Sequence, residues 1–193
     1  MTSLNGVDIK QVSDFKYLGS FINSSENDFK VRKALAWKAL NKLNKIWLSN
    51  LSEELKIKTF KSLVEPILLY GSETWAMTKT MEKSLDGCYT NLLKRVKNLN
   101  WRDHPTLQQI YDGLPRISSV LSARILSFAG HCFRAKGEVI SELILWCPPG
   151  PKRSRKRTYL DMLRRETGLE VGEMGTAMSN LELWRDGFAV FPT

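Results

Sequence analysis

Five of the six residues in Lys152-Arg153-Ser154-Arg155-Lys156-Arg157 are cationic, and Arg164 and Arg165 follow seven and eight residues after Arg157. Side chains of this type at this density suit phosphate. Each phosphate they neutralise releases condensed counterions, so the affinity they confer falls steeply with salt. A solvated linker or a nuclear import signal is also compatible with such a run, because a charge run alone does not separate these uses. A second basic set, Lys30, Lys33, Lys38, Lys42 and Lys45, is interleaved with Trp37 and Trp47. Lys38, Lys42 and Lys45 are the candidate contacts to a nucleic-acid backbone, and an exposed indole among them could stack on a base. Aromatic residues at helical spacing are more often core, and both tryptophans are read that way.

Other chemistries find weaker support. Zinc sites pair ligands two to four residues apart, whereas His131 and Cys132 are adjacent, and His104 and Cys147 stand alone. No metal or cofactor is therefore assigned. Tyr159-Leu160-Asp161-Met162 superficially resembles the Tyr-x-Asp-Asp signature of polymerases, which needs two carboxylates to hold two metal ions. Met162 stands in the second position, and Asp161 reads as a surface residue pairing locally with Arg157, Arg164 or Arg165. There is no Ser-His-Asp constellation, no Gly-rich phosphate loop and no acidic cluster suited to a nuclease. Catalytic residues are thus expected to be absent.

The 193 residues are 42% apolar, enough to bury one sizeable core or two small ones, and 29 Lys and Arg against 20 Asp and Glu leave a net charge of +9. That balance favours a polyanionic partner. No apolar run is long enough to span a membrane and Met1 is followed by polar residues, so an intracellular protein, in nucleus or cytoplasm, is expected, with its three cysteines reduced. Oligomeric state is not legible.

The elements that must position these residues follow from periodicity. Val7, Ile9 and Val12, then Phe15, Tyr17, Phe21 and Ile22, alternate as short strands. Asn5-Gly6 favours a two-residue hairpin turn, yet only four residues precede it, which predicts a nearly missing partner strand, an open sheet edge and a start that looks cut. From Asp28 the period becomes helical through Trp47. Ser52 starts a second helix running to Gly71, with Pro66 kinking it. A third spans about Thr80 to Asn98, Thr106 caps a short one, and Ile117 to Phe133 forms another. Cys147-Pro148-Pro149-Gly150-Pro151 is a rigid connector, followed by a helix over Thr158–Thr167, a Gly-punctuated loop and a last helix near Thr176 to Asp186. The predicted class is mainly α: a short N-terminal β-hairpin remnant (1–26), a thumb-like helical bundle (27–136) and a small basic helical region (137–193).

Several segments, in order, resemble the endonuclease-reverse transcriptases of non-long-terminal-repeat retrotransposons, particularly RTE-like ones. They are Asn5-Gly6, Phe15-Lys16-Tyr17-Leu18-Gly19-Ser20, the Lys- and Trp-bearing helix, Leu69-Tyr70-Gly71-Ser72-Glu73-Thr74-Trp75, Trp101-Arg102-Asp103-His104 and Ala129-Gly130-His131-Cys132. The resemblance implies that Phe15, Lys16, Tyr17, Leu18 and Gly19 form a primer-grip-like hairpin. It implies, too, that the helices act as a thumb on an RNA and DNA template-primer duplex, and that the basic tail adds affinity. The catalytic palm, expected upstream, would be the protein partner. Phosphates and duplex shape would dominate recognition. A helical protein-interaction module, or a non-functional transposon remnant, is the alternative.

Overall fold

The structure is a computed structural model and describes residues 2–4, 7–9, 15–21, 24–135, 137, 139–147, 149 and 158–190, with only the backbone of Thr2–Leu4, Val7–Ile9 and Trp101 described. It is mainly α, as the periodicity predicts. Two small antiparallel hairpins come first. Strand β1 (Thr2–Leu4) pairs with β2 (Val7–Ile9), and β3 (Lys16–Tyr17) pairs with β4 (Ser20–Phe21). The register Leu4↔Val7 leaves a two-residue connection at Asn5-Gly6, residues outside the described set. This corrects the expectation of a nearly missing partner strand: all three residues of Thr2–Leu4 pair with Val7–Ile9.

Helix α1 (Ser25–Lys42) starts earlier than its apolar period suggests, because the Ser24 side chain accepts from the Asn27 amide and Glu26 and Asp28 complement the first turn. The helix breaks at Leu43 and resumes as α2 (Asn44–Trp47), where the buried Trp47 indole donates to the Leu40 carbonyl at 2.8 Å. Helix α3 (Glu53–Leu63) is capped by Ser52, and α4 (Glu65–Leu68) carries Pro66 in its first turn, so the expected kink falls at Val64. A 3-10 turn over Ser72–Thr74 leads to α5 (Lys79–Val96). Then come α6 (Leu107–Tyr111), α7 (Ile117–Arg134) and α8 (Val139–Leu143). The last three are α9 (Tyr159–Thr167), α10 (Val171–Ser179) and α11 (Leu181–Gly187).

The last helical stretch also differs from expectation: the single helix expected near Thr176 to Asp186 is split at Asn180 into α10 and α11. Residues 171–175 are helical rather than looped, despite Gly172 and Gly175, because Met174, Ala177 and Met178 bury against α7 and a Glu170/Glu173 capping box satisfies the first amides. Packing overrides propensity here.

The core is one cluster. Leu40, Phe60, Leu68, Leu85, Leu92 and Leu126 share it with Leu160, Met174 and Trp184. Helix α4 lies on α1 and α3, α5 on α1, α3, α6 and α7, and α7 takes α8, α10, α11 and the 3-10 turn. Gly87 in α5 and Gly172 in α10 are exposed with nothing within 4 Å of a built Cβ. Replacing either by Ala should stabilise by about 0.5–1 kcal/mol, through the smaller backbone entropy lost on folding. A urea midpoint that fails to rise at both sites would contradict the open geometry.

Candidate nucleic-acid interface

The turn between β3 and β4 consists of Leu18 (φ +47°) and Gly19 (φ +88°). Both residues sit in the left-handed region, which is costly for a branched side chain such as leucine and is held only where the surroundings insist. They do insist. Tyr70 donates its hydroxyl to the Leu18 carbonyl at 2.9 Å, and Arg32 donates to the Gly19 carbonyl at 2.5 Å. The Arg32 guanidinium also lies over the Tyr70 ring, 4.3 Å from its centroid, a cation–π contact.

Beneath the turn sits Asp28, 1% exposed. Its carboxylate accepts from Ser20 Oγ (3.0 Å), the Phe21 amide (3.2 Å) and Trp75 Nε1 (3.0 Å), and Oδ1 lies 3.7 Å from Arg32 Nε. A buried charge survives only when its lone pairs are used in this way. Ser25 Oγ accepts from the Ala76 amide, and Phe29 meets Trp75 edge to face at 5.8 Å. Gly71 (φ +70°) leaves room where a Cβ would stand 2.7 Å from Ser20 Oγ.

The segments 15–20 and 69–75, fifty residues apart, therefore meet. Tyr70 holds the hairpin's turn, Gly71 admits Ser20, and Trp75 completes the carboxylate's shell. The Glu73 carbonyl receives the Tyr159 hydroxyl at 3.0 Å, tying α9 to the same turn. Burial pushes the Tyr159 phenol above its ordinary value, so it remains a neutral donor. The side chains at the hairpin tip face outward: Phe15, Tyr17 and Leu18 are 54%, 57% and 75% exposed. Lys16 is exposed too. The backbone is locked from below while the apolar tip is left open.

Lys38 and Lys42 are exposed one turn apart on α1, and Lys45 is exposed on α2. Arg95, in the last turn of α5, donates to Asn44 Oδ1 at 2.7 Å, so Lys94 and Arg95 lie beside the junction that Lys42 and Lys45 flank. Lys152, Arg153, Arg155, Lys156 and Arg157 lie outside the described residues. Arg164 and Arg165 are committed within the fold. Arg164 pairs with Glu170 at 3.1 Å, while Arg165 bonds Glu82, Glu166 and the Met77 carbonyl, fastening α9 to α5. Asp161 closes a capping box with Thr158, accepting from its amide and hydroxyl at 2.9 Å. Trp47 is fully buried and Trp37 half-buried. His131 lies in the last turn of α7, where the dipole favours it.

Sequence reasoning did not single out Asp28, Arg32, Lys94 or Arg95. One signal was present for the first two: a charge pair four residues apart on the same stripe as Phe29, Ala36 and Leu40, where a solvated pair is not expected. Nothing in the sequence places the end of α5 beside α2. Among the described residues no group of three His, Cys, Asp or Glu is arranged to hold a metal ion. No helix among them is long and apolar enough to cross a membrane.

The fold and site thus define a basic, mainly helical protein that presents a braced β-hairpin. The chain is similar to an uncharacterized transposon-derived protein of Caenorhabditis elegans, 28% identical over an alignment of 175 positions that takes in 82% of this chain. The match spans 61% of that relative's length. No family model and no solved structure matches the chain.

Proposed function

We propose that the chain is transposon-derived and is the nucleic-acid-gripping C-terminal part of a retrotransposon RNA-directed DNA polymerase, without a polymerase site of its own. One observation carries the reading: the two segments that most resemble such polymerases, 15–20 and 69–75, are joined by a polar network, buried at Asp28 and Trp75, that braces a hairpin with an open tip. A turn this strongly held, with Phe15, Tyr17 and Leu18 left exposed among the described residues, suits an element that contacts something outside the chain. The transposon-derived relative and the net charge of +9 support the same reading. Lys38, Lys42 and Lys45 would meet phosphates on one side, with Lys152, Arg153, Arg155, Lys156 and Arg157 adding the tail's contacts. The palm that carries the catalytic carboxylates would be the protein partner.

The test is binding to an RNA–DNA primer-template duplex across a salt series. Changing Lys38, Lys42 and Lys45 to Ala should leave stability within about 0.5 kcal/mol per site. The slope of log affinity against log salt should flatten by about 0.7–0.9 for each phosphate contact removed. The five tail cations, changed together, should flatten it further. Unchanged slope and affinity in both variants would remove nucleic-acid contact from these residues.

A second reading, a helical protein-interaction module, rests on α8 and the residues after it, where Val139, Leu143 and Trp146 are 71%, 55% and 55% exposed. It gains if the chain ignores nucleic acid at low salt yet forms a defined complex or oligomer.

A further inference from the structure

Between α1 and the last turns of α5 lies a groove of about 360 Å³ lined by Trp37, Asn91, Lys94, Arg95, Asn98 and Leu99. The volume falls within the range of ordinary small-ligand sites, about 300–1,000 Å³. Trp37, half-buried, lines this groove from α1. Asn91 and Asn98 are exposed, and Asn98 is held in the left-handed conformation (φ +52°) where α5 ends. Lys94 and Arg95 supply positive charge where the helix dipole is negative. None of the lining residues is acidic.

We propose that this groove takes one unpaired nucleotide, its base against the Trp37 ring, its edge read by the amides of Asn91 and Asn98, and its flanking phosphates met by Lys94 and Arg95. The inference rests on the nucleic-acid reading above. The donor set fits a nucleotide better than an apolar peptide. An aromatic face accepts any base, a side-chain amide offers the paired donor and acceptor that base edges require, and both cations match phosphate rather than an apolar side chain. The site adds something a phosphate-only grip does not provide, the ability to tell an unpaired end from a blunt duplex.

The full chain is titrated with three primer-templates sharing one duplex: blunt, with a short single-stranded extension, and with the same extension built from abasic units. The extended duplex should bind roughly tenfold tighter than the blunt one, as stacking of a single base allows. The abasic extension should recover little of that gain. Trp37→Leu should abolish the preference while blunt-duplex affinity is kept. Asn91→Leu, at an exposed position that does not carry the fold, should weaken the preference. Equal binding of the extended and abasic forms, a preference that survives in a folded Trp37→Leu chain, or one undiminished in a folded Asn91→Leu chain, overturns the groove and leaves the duplex grip standing. Binding of none of the three duplexes overturns both.

Discussion

Gly130→Ala should destabilise the chain by about 3 kcal/mol, lowering the melting temperature by about 10 °C for a domain of this size. The added methyl has nowhere to go: a Cβ at Gly130 would stand 2.5 Å from Trp184 Nε1 and 3.0 Å from an Arg134 guanidinium nitrogen. Trp184 is 1% exposed, donates to the Leu126 carbonyl at 2.7 Å and packs against Phe188 with ring centroids 5.2 Å apart. Displacing it therefore removes a buried hydrogen bond and lifts α11 from α7. Arg134, which bonds the Met178 carbonyl at 2.8 Å, is disturbed with it. The expected signature is non-additivity. Trp184→Leu should be costly alone, and should make Gly130→Ala nearly free when the two are combined, since the clash has been removed. A Gly130→Ala chain that melts like the parent, or costs that simply add, would mean that this contact does not exist. Increased cleavage near residues 180–190 by a dilute protease would report the local loss of α11.

Asp28→Ala should cost about 3–5 kcal/mol, the ordinary penalty for breaking a buried ion pair by removing one partner. Three donors lose their acceptor together: Ser20 Oγ, the Phe21 amide and Trp75 Nε1. Arg32, 7% exposed, keeps its charge with the neighbouring carboxylate gone. The double variant Asp28→Leu, Arg32→Met separates the two effects. If the carboxylate served only to neutralise Arg32, an apolar pair would restore most of the stability. Because it also terminates the hairpin and the Trp75 indole, the double variant should remain destabilised. Amide exchange at Phe21 should be fast in both. Protection at Phe21 equal to that of the parent would detach the carboxylate from the hairpin, and with it the view that the turn is braced from below.

The two positions also explain what was legible in advance. Helix boundaries were, where side chains act on their own backbone: Ser52, Thr106 and Thr158 cap the helices they precede, and Pro66 marks the break at Val64. These are local effects, and local effects are written in local sequence. Residues 171–175 are helical against their glycine propensity because α7 buries Met174 and Met178, a surface that local sequence does not show. Strand Thr2–Leu4 is not legible because a run of three residues is too short to display a period of two.

The sequence by itself determined that the chain is mainly helical, that its net charge is +9, and that the motifs 15–20 and 69–75 stand about fifty residues apart. It could not say what the motifs do for one another. Only the tertiary structure brings Tyr70 onto the Leu18 carbonyl and Trp75 onto Asp28 across about fifty residues of chain, and only it turns Arg164 and Arg165 into ties between helices. The physical reason is that a charge or a hydroxyl has the same propensities wherever it stands. Whether it serves solvent, a phosphate or a buried backbone carbonyl is decided by which distant element excludes the water around it.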